Sequence, residues 1–129
     1  MRRYEYTSSF LGIPVKTSAD WCFTVKKGKI LSQVSDGRAV AESLSEGVTL
    51  YQEVGISYWT AEDGRRIQDD VERVFLSENG KNRYWDQVVF VDCAGEYDVE
   101  IRPCQADDIV EIDSYRELCA IDEQYRVEA

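Results

Sequence analysis

The chain has 129 residues, 43% of them hydrophobic, with 15 Lys and Arg against 25 Asp and Glu and no histidine. That length and apolar share suit one acidic domain spanning residues 1–129 and exclude a disordered composition, while no apolar run approaches the ~18 residues of a membrane span. The absent histidine removes Ser–His and Cys–His nucleophiles and the usual zinc sites, and the acidity argues against direct nucleic-acid binding, where phosphates need clustered Lys and Arg.

The first third has strand character. "RRYEYTSSFLGIPVK" alternates apolar and polar residues around Ser8-Ser9, and Pro14 suits an edge position. "WCFTVKKGKILSQV" predicts a hairpin turning at Lys27-Gly28, with three lysines at its tip. In "SDGRAVAESLSEGV" a short helix is expected, capped by Ser35 or Asp36, lined by Val40, Ala41 and Leu44, and stopped by Gly47. Strands "TLYQEV" and "ISYWT" flank Gly55.

The strongest helical signal follows. Thr60 stands as cap, Asp63 three residues on in a capping-box position, and Ile67, Val71, Val74 and Phe75 form one apolar stripe ahead of Asn79-Gly80. "RYWDQVVFVDCAGEYDVEIRP" has the composition of a long hairpin, with Gly95-Glu96 as its loop and Phe90 opposite Ile101. "DIVEID" predicts a last strand with Val110 and Ile112 inward. "SYRELCAIDEQYR" predicts a last helix with Ser114 and Glu117 as capping box and Tyr115, Leu118, Cys119 and Tyr125 inward. The expected fold class is α+β: a mainly antiparallel sheet with two longer helices and one short helix packed on one face.

Four separated cysteines (Cys22, Cys93, Cys104, Cys119) form no CxxC pair, so reduced thiols are expected, with Cys93 nearest the surface. With no secretory apolar stretch after Met1, the expected location is cytoplasmic. Neither GxGxxG nor a GxxxxGK motif occurs, and the run from Asp92 fails the EF-hand pattern. Aromatics beside charges in "SYWTAEDG" and "NRYWDQ" suit either a recognition patch or core closure, with Trp21 and Trp85 leaning to core.

Charge is uneven: residues 1–60 carry about +1 and residues 61–129 about −11, with eight carboxylates between 91 and 113 against Arg102 alone. The functional expectation is a small acidic protein-binding module and not an enzyme. Asp98, Glu100, Asp107, Asp108, Glu111 and Asp113 would face a basic, nucleic-acid-handling partner, as an inhibitor of phage anti-defence or immunity type does. It would act without a cofactor, as monomer or homodimer. The alternatives are an Mg²⁺- or Mn²⁺-dependent enzyme such as a nuclease, with Asp92 and Glu100-Ile101-Arg102 in a D…ExK-like order, or a structural or assembly subunit.

Overall fold

The computed structural model describes residues 7–77, 80–110, 112, 114–122 and 124. Five strands, β1 (Ser9–Val15), β2 (Cys22–Lys26), β3 (Lys29–Val34), β4 (Val48–Tyr58) and β5 (Glu100–Pro103), close into a barrel in the order β1-β4-β2-β3-β5. The β2–β3 hairpin turns where expected. Lys27 at φ 52° and Gly28 at φ 78° both take the left-handed conformation that a two-residue hairpin turn demands. Pro14 lies beyond the stretch of β1 paired with β5, so β4 is its one strand neighbour.

Closure depends on β5. It runs parallel to β1 from Ser9↔Glu100 to Gly12↔Pro103 and touches β3 antiparallel at Lys29↔Glu100. The Ile30 N–H donates to the Val99 carbonyl at 2.9 Å, and the Ile101 N–H to the Gly28 carbonyl at 2.8 Å. The expected open, mainly antiparallel sheet with helices on one face is therefore corrected to a closed mixed barrel: one short strand bridges two edges that would otherwise stay unpaired.

The expected strand before Gly95 is the second correction. Trp85–Gln87 forms a helical turn, α2, which continues as a π-helical turn over Val88–Asp92. Its β-branched composition favours a strand, yet Val88, Val89 and Phe90 are all buried in succession. A strand lying on one face of a core alternates, whereas a wide helical turn plugging the barrel can bury neighbours together. Phe90 meets Phe10 and Phe23 edge to face, with centroids 5.5 and 5.0 Å apart.

Helix α1 (Ala61–Phe75) begins as expected, with the Thr60 hydroxyl accepting from the Asp63 N–H at 3.1 Å. Buried Ser8 ties it to β1, donating to Asp63 Oδ2 and accepting from the Thr60 N–H at 3.0 Å. Val74 is buried and Ile67 and Val71 pack on the core, but Phe75 is half exposed beneath Lys81. The short helix after Ser35 is reduced to a 3₁₀ turn, Gly37–Ala39, capped by Asp36. A 3₁₀ turn at Ala106–Asp108 occupies the start of the expected last strand, and Val110 and Ile112 are exposed instead of inward. Helix α3 (Tyr115–Ile121) has Ser114 as cap and buries Cys119, while Tyr115 is exposed; Tyr125 lies outside the described residues. Among the described residues, no helix is long and apolar enough to cross a membrane.

Candidate functional site

Strand β4 is interrupted where it passes β1. Between Phe10↔Ser57 and Gly12↔Glu53 it uses two more residues than its partner, and Gly55 absorbs the bend at φ +87°. Such bulges re-aim side chains. Here the bulge brings Glu53, Val54 and Gly55 to one wall of a cavity of ≈ 390 Å³. Asp20 and Trp21, leading into β2, form the second wall, held by the Glu53 N–H donating to the Trp21 carbonyl at 2.8 Å. Tyr84, Trp85 and Asp86 of the α2 turn form the third.

The aromatic rings are braced against one another. Trp21 and Tyr84 meet edge to face at 6.1 Å, and Trp85 stacks on Phe10 at 6.0 Å while lying edge to face with Trp59 at 5.9 Å. Trp85 is 44% exposed, so it presents ring surface to the cavity and anchors in the core at once.

Below the rings, Gln33 of β3 joins two carboxyls: its Nε2 donates to Glu53 Oε2 at 2.7 Å and to Asp86 Oδ2 at 3.1 Å. Burial pushes the Glu53 carboxyl up to about 8, the hydrogen bond with Asp86 adds to the rise, and the Gln33 amide opposes it. The rise favours the protonated form of Glu53 near neutral pH. Gln33 is only 6% exposed, and its Oε1 has no partner among the described residues. Among the described residues, no Lys or Arg lines the cavity. The site thus combines π faces, three carboxyls and an excess of acceptors, the environment of an organic cation with an apolar body.

The residues expected to form a recognition surface are placed elsewhere. Asp98 is exposed and paired with Lys29, and Asp107 and Asp108 lie exposed on a 3₁₀ turn where Asp108 accepts from the Gln105 N–H. Glu100 is 4% exposed in β5, at the seam of the barrel, and so is no part of a solvent-facing surface. Glu111 and Asp113 lie outside the described residues. Asp92 accepts from Arg83 at 3.1 Å, and no group of three or more His, Cys, Asp or Glu among the described residues is arranged to hold a metal.

Cys93, expected near the surface, is 1% exposed, its thiol pushed up chiefly by burial and then by Asp70, with Arg73 opposing. All four cysteines are free. Trp21 and Trp85, expected to lean to core, both line the cavity, and Trp85 also stacks on Phe10 of the core. Of the cavity residues, the "NRYWDQ" run carried a legible signal, aromatics beside an acid. Glu53 and Asp20 carried none, nor did Gln33 behind them, because their convergence depends on the bulge and on strand pairing.

No family model matches the chain. It is 30% identical over 108 residues to the 2-aminoethylphosphonate cytidylyltransferase of Lancefieldella rimae, a match covering 84% of this chain and 40% of that protein. The fold resembles CTP:phosphocholine cytidylyltransferase from Streptococcus pneumoniae with a TM-score of 0.62 and 19% identity, covering 98% of this chain and 52% of that one. The chain thus spans about two fifths of the curated relative's length and half of the solved one's. Both matched proteins are nucleotidyltransferases, which overturns the expectation of a non-enzymatic acidic inhibitor; nothing in either match supports a viral, anti-defence or immunity role.

Proposed function

We propose that the chain is the acceptor-binding part of a nucleotidyltransferase of the cytidylyltransferase kind. Its cavity receives the ammonium end of an amine-bearing phosphate or phosphonate, and residues 1–129 form one domain. The observation that carries this reading is the cavity itself: Trp21, Tyr84 and Trp85 as walls, Asp20, Glu53 and Asp86 as carboxyls, and no base among the described residues of the lining. A cation over an aromatic face gains ~0.5–2 kcal/mol, more as water is excluded, and adjoining carboxylates add Coulomb attraction in a half-buried setting. An anion would meet only repulsion there.

The names of the two matched proteins support the same chemistry. In 2-aminoethylphosphonate a two-carbon link joins an ammonium to a phosphonate, and in phosphocholine it joins a quaternary ammonium to the ester oxygen of a phosphate. The unbridged cysteines support a reducing cytoplasmic setting, where nucleotide substrates are also found.

The test is a tryptophan-fluorescence titration with methylammonium and tetramethylammonium chloride at constant ionic strength, with sodium acetate as control. Saturable quenching by an ammonium ion and none by acetate is expected, weakened several-fold in Trp85→Ala. Identical, non-saturating responses in wild type and variant would overturn the reading.

A further inference from the structure

The aromatic walls would accept many alkylammonium ions, but the floor of the cavity is more particular. Glu53 and Asp86 reach it from β4 and α2, and a single Gln33 amide group supplies N–H to both, at 2.7 and 3.1 Å. Both carboxyls retain further lone pairs, and Gln33 Oε1, on a side chain 6% exposed behind the cavity lining, has no partner among the described residues. Acceptors outnumber donors at a half-buried place where unmet acceptors are costly. The ligand that corrects the imbalance brings N–H groups as well as charge.

We infer that the Glu53–Asp86 pair, positioned by Gln33, makes the cavity selective for a primary ammonium over a quaternary one. The inference rests on the reading of this cavity as an ammonium site. A primary ammonium has three N–H donors, enough to serve both carboxyls, and a small head that reaches past the indoles. A quaternary ammonium has a similar charge and ring affinity but no N–H. Its methyl groups would cover the carboxyls without bonding them, leaving their acceptors desolvated.

Proton balance follows from the same geometry. Glu53 is held up by burial and then by Asp86, so its protonated form is favoured near neutral pH. When a primary ammonium donates to both carboxyls its charge favours the ionised form of Glu53, whose proton leaves to solvent while the ammonium keeps its own protons. The charged groups facing Glu53 are Asp20, from the segment before β2, and Asp86, from α2. From β3 comes only the neutral Gln33 amide, and on the opposite side of β4 the neighbouring cleft is lined by Ile13, Ala106, Ile109 and Val110, which bring no charge. Among the described residues that line the cavity, none is a base.

Phosphoethanolamine and phosphocholine share phosphate and linker and differ by three N-methyl groups, so calorimetric titration of each into wild type isolates the head. Phosphoethanolamine is expected to bind at least about tenfold more tightly. At pH 7, in two buffers of unlike ionisation heat, it should release a larger fraction of a proton than phosphocholine does. In Glu53→Gln the affinity ratio should fall to within about twofold and the difference in proton release should vanish. Should that variant not fold, the wild-type ratio decides alone. Equal affinities, or a preference for phosphocholine, would overturn the selectivity while leaving an ammonium cavity in place. Binding of neither ligand, with unmoved tryptophan fluorescence, would overturn the ammonium reading and this inference with it.

Discussion

Glu53 is a carboxyl whose neighbours give it two duties, one in the fold and one in the site. Its folded value of about 8 stands above its ordinary value of 4.5, because burial and Asp86 favour the protonated form. The sign of the linkage follows: between those values the folded protein holds a proton the unfolded chain has released, so its contribution is full below about 4.5 and is lost as pH rises through about 8. Urea midpoints measured at pH 5, 6.5 and 8 are expected to fall with pH in wild type and to fall less steeply in Glu53→Gln, whose amide stays neutral. Parallel trends in the two proteins would remove Glu53 as the source. The same residue shows why the site was hard to see in the sequence. In "LYQEVGISY" it has the look of a strand glutamate pointing at water, and only the bulge at Gly55 and the pairing with β2 turn it toward Asp86. Tyr84, Trp85 and Asp86 were legible as a possible recognition patch because they are adjacent in the chain, whereas Gln33 and Asp20 are brought in by tertiary structure alone.

Among the elements, α1 shows the agreement of local signals with the final fold. Its cap, its acidic first turn and its apolar stripe are all encoded within sixteen residues, Thr60 to Phe75, and the structure uses each of them except Phe75. Its end is set by a close approach. A Cβ built on Gly80 would lie 1.5 Å from the Val74 carbonyl oxygen, so Gly80→Ala must displace the chain that caps the helix. The α2 segment is the opposite case. Val88, Val89 and Val91 promise a strand, and burial of three successive residues in the barrel makes a helical turn instead. Phe90→Ala, which empties the space between Phe10 and Phe23, is expected to cost about 3–5 kcal/mol. Leu118→Ala, on a half-buried helix face, should cost less. Urea midpoints of the two variants check this, and a larger loss at Leu118 would mean that α3 and not the α2 plug organises the core.

At the scale of the molecule, local patterns indicated the hairpin, β4 and α1 but not the closure that joins them. The parallel pairing of Ser9 with Glu100 links residues about ninety positions apart, and no periodicity in either segment announces it. The acidity that pointed toward a basic protein partner has a different use in the proposed function. A net charge of −10 raises the local concentration of any small cation, and the cavity adds shape and acceptors to that attraction. The most direct measurement follows the three indole N–H signals in a ¹H–¹⁵N spectrum while phosphoethanolamine is added. Trp21 and Trp85 line the cavity, whereas Trp59 packs on the core with its N–H donating to Ser57 Oγ at 2.9 Å, so it serves as an internal reference. Saturable shifts of the Trp21 and Trp85 signals, clearly larger than that of Trp59, are the expected result. A spectrum in which neither cavity indole moves, or in which Trp59 alone does, would contradict an ammonium site between them.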